Sequence, residues 1–447
     1  MNFKLKVLIL IMLLATPTWS FGQQLSKQSL IDDLTFLNES VSNGHPVNYD
    51  PQYQFNISEV IDRAKALNTD SISALNYTIW IEKGIYHIGC IHTSIQVNPL
   101  KVHYQPSFIP ITTSIQKNNL NITSCQGASK IGQTIQKING RHASEIIAYY
   151  EEYKASDGGT DAFSKEYFHL FSSSLISKFL GYPAHYEIET ANETYVLKGQ
   201  KKGYYRKSED QATTDLLSNG SNELYLNDDF VILKVEDFNN SDKGFFKNAF
   251  KKIDEIDAEN LIIDLRQNTG GSRKAAIVLT KFLADSAFAY SILQPKLSTG
   301  KYLNGKGKFF LFLSKLKYNV GNFYKMRFTD LGTSFRYAYK PKAKYHFNGN
   351  VYVLTDGFTA SASTMVTSWL KQYSHAQFLG RQASGGYNGN NGGSFPVITL
   401  PQSKIQIRFP AYRLVLDDQS EMSAGLQPDV SLDTNSDIAT IIKEIRK

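Results

Sequence analysis

Four hydroxyls fall within six residues of the stretch TDGFTASAST: Thr359, Ser361, Ser363 and Thr364. The apolar run Val351–Leu354 before them reads as a short buried strand. After them Met365, Val366, Trp369, Leu370 and Tyr373 recur at helical spacing, which places the hydroxyls at a strand-to-helix turn. A serine at such a turn is held out at the top of a sheet, beside the first N–H groups of the helix, beginning with Ala362, which helix geometry leaves unpaired. That is the setting for a nucleophile with oxyanion donors at hand. The plainer reading is that Thr359, Ser361 or Ser363 caps the helix, and the stretch by itself favours it.

Two further stretches carry reactive residue types. In NLIIDLRQNTGGS (Asn260–Ser272) an apolar strand bearing Asp264 opens into a Gly-Gly loop before a helix near Ser272. Glycines let backbone N–H groups close on a ligand, as an oxyanion or phosphate cradle requires. No Gly-Lys-Ser/Thr follows, so this is not a Walker loop, and Asp264 with Arg266 reads first as a structural pair fixing the loop. In YHIGCIHTSI (Tyr86–Ile95), His87, Cys90 and His92 offer ligand atoms. Their spacing matches no zinc signature and no second Cys/His pair completes four ligands, so no metal is expected. Taken alone, His92 reads as structural.

The elements that must position these residues emerge from periodicity. The chain has 447 residues, enough for two or three domains, with an ordinary globular composition rich in aromatics (13%). Its opening, MNFKLKVLILIMLLATPTWSFGQQ, has a basic start, an apolar core and small residues before Gln23, the pattern of a secretory signal over 1–22. An exported, periplasmic protein is expected, and no later segment is long and apolar enough to span a bilayer. The net charge of +7 falls to +5 without Lys4 and Lys6, and no dense basic cluster argues for nucleic acid. Cys90 and Cys125 either pair after export or stay as small buried residues.

Leu25 to Tyr86 is mostly helical by spacing, and IGQTIQKINGRHASEIIAYY (Ile131–Tyr150) runs from a strand through an Asn-Gly turn into a helix. Residues 153–225 are polar and give no clear assignment. From Phe230 strands and helices alternate: FVILKVEDF, FFKNAFKKIDEI, NLIIDLR, RKAAIVLTKFLAD, then VYVLTDG with its helix and QFLG, SFPVITLP and KIQIRFPAYRLVL as strands. This is the pattern of an α/β unit with a largely parallel sheet. The aromatic-rich segment 286–346 interrupts it and is expected to cover a cleft or mediate assembly.

Together these stretches resemble the tail-specific (C-terminal-processing) serine proteases and the tricorn protease core. IGCIHTSI is similar to that family's I-G-D-G-H-T segment, with Cys90 and Ile91 in place of Asp-Gly. GQTIQKING (Gly132–Gly140) is similar to the end of its PDZ-like module, and NLIIDLRQNTGG to its L-I-I-D-L-R-x-N-x-G-G signature. VYVLTDGFTASAS matches its strand and serine elbow, and LPQSKIQIRFP with AGLQPDV (Ala424–Val430) its closing elements. The five fall in order along the chain.

The resemblance implies a ClpP/crotonase-like α/β core over 227–447, a PDZ-like module and linker over 99–226, and a helical region over 23–98 that carries His92. It implies Ser361 as nucleophile, with the Ala362 N–H and the Gly270-Gly271 loop as oxyanion donors. The tail-specific branch activates its serine with a Lys twenty-five residues later; here that position is Gly386, and the nearest lysines, Lys371 and Lys404, lie on the helix and a later strand. The tricorn-like branch uses a His from the segment that aligns with His92, which becomes the expected general base. That branch orients its base with a Glu near the closing motif, which points to Glu421, one residue from the usual offset at Met422, with Asp417 or Asp418 as substitutes. Thr364 stands where the family often has Glu and reads as structural. A peptide or protein substrate is implied and no cofactor. The same scaffold also serves non-catalytic binding proteins, so a ligand- or peptide-binding role is the alternative. The oligomeric state is not implied.

Overall fold

The computed structural model describes residues 23–50, 53–100, 107–125, 130–203, 214–296, 299–432 and 436–447. The expected leader, 1–22, lies outside them. Helices α1 (Lys27–Gly44), α2 (Ile57–Lys65) and α3 (Ala74–Tyr86) form the N-terminal region. Ser26, Asn56 and Ser73 cap them by accepting N–H bonds three residues on. Their apolar faces bury Leu30, Leu34, Leu37, Val60 and Ile81 in one core. Strand β1 (Ser94–Val97) then leaves this region.

The next unit is a sheet with two helices. Strands β2 (Ile111–Gln116), β3 (Asn119–Cys125) and β4 (Thr134–Ile138), helices α4 (Ala143–Glu151) and α5 (Ala162–Phe179), and strands β5 (His185–Thr190) and β6 (Thr194–Lys198) follow in chain order. The strands pair as β2-β3-β4-β5-β6. The Asn139-Gly140 turn has φ of 48° and 73°, the left-handed pair such a tight hairpin needs. Polar 153–203 thus holds α5, β5 and β6, whose packing was hidden because α5 buries serines (Ser164, Ser172, Ser173, Ser177) along with its apolar residues. All four hydroxyls are spent on backbone, at Lys154, Thr113, Ile109 and Ser173.

The C-terminal unit is built on a seven-stranded sheet. Strands β7 (Thr214–Ser218), β8 (Asn222–Asn227) and β9 (Phe230–Val235) precede helix α6 (Asp242–Glu255) and β10 (Asn260–Asp264). Helix α7 (Arg273–Leu283) leads to β11 (Phe288–Pro295), helix α8 (Gly305–Gly321), β12 (Met326–Thr329) and β13 (Gly332–Tyr339). Strand β14 (Asn350–Thr355), helix α9 (Ala362–Tyr373) and β15 (Gln377–Gly380) resume the alternation. Strands β16 (Gly389–Gly392), β17 (Val397–Thr399), β18 (Gln406–Arg408), β19 (Tyr412–Val415) and β20 (Val430–Ser431) and helix α10 (Ile438–Ile445) close the chain.

The main sheet runs β7-β8-β9-β10-β14-β15-β20, with β9 to β20 parallel. Its strands read as continuous apolar runs because helices cover both faces. On one face α6, α7 and α9 bury Phe246, Phe250, Leu279, Phe282 and Val366 against Leu233, Ile263 and Val353. On the other, α10 packs Ile438, Ile441 and Ile442 against Ile232, Ile262 and Leu354. The interrupting segment 286–346 is not a loop: β11, β12 and β13 join β19 and β16 in an antiparallel sheet, β12-β13-β11-β19-β16. A third sheet, β17-β18-β1, ties the N-terminal region to the C-terminal unit. Among the described residues no helix is long and apolar enough to cross a membrane.

Candidate active site

In-register pairing sets the C-terminal ends of β10 and β14 side by side, with Asp264 opposite Leu354. Ligand sites of open parallel sheets lie at such strand ends. The turn out of β14 is fixed by Asp356, whose carboxylate accepts N–H bonds from Gln267 and Phe358, both at 2.9 Å. Thr359 donates its hydroxyl to the Leu265 carbonyl, 3.0 Å, and Ser363 donates to the Asn268 carbonyl, 3.0 Å. These two hydroxyls bind the turn to the loop after β10.

Ser361 behaves differently. It is the first residue outside α9, yet its φ of 56° and ψ of −115° lie far from the extended backbone of an ordinary cap, and its hydroxyl makes no capping bond. A non-glycine residue held there stores about 1–3 kcal/mol of strain. Directly beneath it lies Gly270, with φ of 106°: a Cβ there would stand 2.6 Å from Ser361 Cβ and 2.7 Å from the Ala362 nitrogen. The loop glycines therefore allow backbone to pass under the serine.

The Gly270 N–H, expected as an oxyanion donor, is donated to Asn268 Oδ1 at 2.8 Å. Asn268 also donates to the Val235 carbonyl at 2.7 Å. Gly271, φ 133°, runs along Phe238, where Ser272 donates to the Phe238 carbonyl. Among the described residues neither the Gly271 N–H nor the Ala362 N–H has a partner.

His92 sits just before β1, whose Ser94 pairs with Arg408 of β18. Its ring stacks on Phe395, centroids 5.7 Å apart, and the Arg408 guanidinium lies over the same phenyl at 3.8 Å. Burial, with the Arg408 charge adding, holds the imidazole down to about 4, so it is neutral at neutral pH. Its Nδ1 is buried with no hydrogen-bond partner. Thr93 hydrogen-bonds His45 Nε2 at 2.8 Å, which anchors the segment from behind.

The carboxylate brought to this ring is Asp157, a residue that sequence reasoning passed over inside the turn-rich ASDGGTD. Ligand atoms of Cys90, His92 and Asp157 lie within 4.8 Å of one another. Asp157 accepts the Ile91 N–H through Oδ1 at 3.1 Å and the Gly386 N–H through Oδ2 at 3.2 Å, while its own N–H donates to Ser384. Ser384 in turn donates to the Thr359 carbonyl, two residues before Ser361. A hydrogen-bonded path thus joins the His92 segment to the turn that carries Ser361. Burial pushes Asp157 up to about 7, and burial likewise pushes the Cys90 thiol up to about 12. A protonated thiol and a carboxylate already holding two amides make a poor ligand set for a metal. His87 lies apart from them, beside Glu152 at 3.7 Å.

Glu421 is exposed, in a segment whose Ser420 and Met422 carbonyls accept from Asn388. Asp417 accepts the Gln419 and Ser420 N–H groups in a turn of its own, and Asp418 is bonded by the Gln419 side chain. Gly386 has no room for a side chain, since a Cβ would stand 2.3 Å from the Gly389 carbonyl oxygen. Lys371 pairs with Asp429 at 2.6 Å and Lys404 donates to the Pro401 carbonyl. Asp264 and Arg266 form a bidentate pair, with Arg266 also holding the Ser436 carbonyl. Cys90 and Cys125 are not joined in a disulfide.

A strained serine offered to two unspent amides at the ends of parallel strands is the arrangement of a serine-type hydrolase. Residues 229–432 match the model of peptidase family S41, which supports a peptidase. Two solved structures share the fold at low identity. Mature CPAF complexed with lactacystin matches with 12% identity, 91% and 94% of the two chains covered and a TM-score of 0.59. A CPAF mutant gives 12%, 91% and 93%, and 0.61. A putative peptidase from Parabacteroides merdae covers 94% and 93% at 15% identity with a TM-score of 0.46. No curated protein sequence matches the chain.

Proposed function

We propose that the chain is an exported serine peptidase that hydrolyses peptide bonds through an acyl-enzyme on Ser361, with His92 as general base. The observation that carries this reading is the Ser361 backbone. A residue needed only as a cap would adopt the extended conformation and spend its hydroxyl on the helix; this one is strained and keeps its hydroxyl free of any cap bond. Ser361 Oγ attacks the substrate carbonyl while its proton passes to His92, and the Gly271 and Ala362 N–H groups receive the developing oxyanion. The imidazolium returns the proton to the leaving amine. Water then hydrolyses the ester with His92 again as base.

The orienting part is assigned to Asp157 rather than Glu421, because a buried carboxylate beside the ring balances the imidazolium better than an exposed one. The 227–447 unit is read as the ClpP/crotonase-like core and the β2–β6 unit as PDZ-like, able to add an extended peptide to its sheet edge. Residues 1–22 are read as the export signal. Labelling by a fluorophosphonate probe tests the mechanism: the wild type reacts and Ser361→Ala does not. A folded wild type that never labels would instead point to the peptide-binding role on the same scaffold.

A further inference from the structure

Helix α8 presents its apolar stripe to solvent. At about 100° per residue, Phe309, Phe312, Leu313, Leu316 and Val320 fall within one sector roughly 100° wide. They are 44–71% exposed. The opposite face is the docked one. Leu311 is buried there, Ser314 hydrogen-bonds Tyr412 Oη at 2.8 Å, and Tyr318 Oη accepts from Arg273 at 2.9 Å. The helix is also capped, with Asn304 accepting the Gly307 N–H. It is therefore fastened, and the outward stripe is a property of its folded state.

Phe328, 81% exposed, and Tyr324, 79% exposed, extend the same kind of surface into the following strand and turn. Isolated apolar residues on a surface need no explanation, but a contiguous stripe of this size marks an interaction site.

The charges choose the partner. Lys306 and Lys317 flank the stripe on one side of the helix, Lys308 and Lys315 on the other. From Ser286 to His346 there are twelve Lys and Arg and one acidic residue, Asp330. That excess is larger than the +7 of the whole chain, so the rest of the chain is net acidic. A protein partner with an apolar groove would not require lysines on both rims. An apolar face bordered on both sides by long cationic chains, which keep their heads at the level of phosphate, is suited to lie in a membrane interface.

We infer that α8 and the adjoining hairpin dock the protein on an anionic lipid surface, with the stripe entering the headgroup region and the flanking lysines meeting lipid phosphates. The contact is peripheral and does not depend on the catalytic reading. Because α8 is held by Arg273, the first residue of the helix that leaves the Gly-Gly loop, the docking surface and the site share one rigid mount.

Sedimentation of the mature chain with vesicles tests this. Vesicles of phosphatidylcholine with phosphatidylglycerol should carry the protein down, pure phosphatidylcholine at least about tenfold less, and added salt should release it. Phe309→Ser with Phe312→Ser, and separately Lys315→Glu with Lys317→Glu, should each weaken binding at least about tenfold. Both pairs should keep the wild-type melting temperature and cleavage of a soluble peptide. Wild-type protein that stays in the supernatant with anionic vesicles would overturn the inference. So would variants that bind as the wild type does, or a stable dimer in solution that both variants dissociate.

Discussion

The amide of Gly386 donates to Oδ2 of Asp157 at 3.2 Å. The chain position that resembles the lysine site of one protease branch thus holds a backbone donor, and the carboxyl near His92 comes from another segment altogether. With His92 held near 4 and Asp157 near 7, the group that ionises in the neutral range is the carboxyl. If its ionised form supports the imidazolium, kcat/KM rises as pH passes through about 7. Asp157→Asn should then lower kcat by roughly 10²-fold or more. It should also move the acid limb down towards the His92 value. A slow variant whose profile keeps its wild-type midpoint would remove Asp157 from the reaction and leave it a purely structural part.

Gly270 is the second pressure point. Alanine there puts a methyl group 2.6 Å from Ser361 Cβ, on a backbone whose φ of 106° L-residues avoid. The elbow must shift, so Gly270→Ala is expected to lose at least about 10²-fold in probe-labelling rate. The accompanying loss of stability is about 1–3 kcal/mol, read from thermal melts. Labelling at the wild-type rate would show that the glycine is not needed to seat the serine.

Much of this was legible in the sequence. The α/β alternation from Phe230, the strand-turn-helix around Ser361 and the Asn139-Gly140 hairpin all follow from periodicity and turn chemistry, which are local. Asp157 was not, because a carboxylate just ahead of two glycines reads as a solvated turn. The signal was in the glycines: Gly158 and Gly159 are left-handed and packed, one against Ser423 and Ala424, the other against Tyr53. Such close approach is a long-range fact. The α8 stripe is the opposite case, since its spacing of three and four residues was visible. The amphipathic pattern was obscured by Phe310 and Leu311 completing an unbroken apolar run from Phe309 to Leu313.

Arg408 offers a way to shift the His92 titration without touching the imidazole. Its guanidinium stacks on Phe395, which stacks on His92, and its charge disfavours the imidazolium. Arg408→Gln should therefore raise the His92 titration midpoint, followed by NMR of the ring protons. The direction decides the matter: an unchanged or lowered midpoint would mean that burial alone sets it.

His45 extends the pH argument to stability. It is fully buried, hydrogen-bonds Thr93 through Nε2 and accepts the Val47 N–H at Nδ1. Burial, with the nearby His92 adding, depresses it from 6.5 to about 3. A group whose folded pKa is depressed contributes stability that is present above the unfolded value and lost as pH falls through the folded one. The contribution is thus complete above about 6.5, and acid removes up to something on the order of 4 kcal/mol between there and 3. Asp157 and Asp356, raised to about 7 by burial, work in the other direction: the stability from their protonated forms is full below 3.8 and fades as pH rises through 7. Wild-type melting temperature alone mixes the two. His45→Gln separates them, because it costs stability at pH 7 through lost packing against Phe409 and an altered Thr93 bond but has no proton to bind. The gap between variant and wild type should narrow steadily from pH 6.5 to pH 4. A gap that stays constant across that range would mean that His45 is not held neutral by the fold.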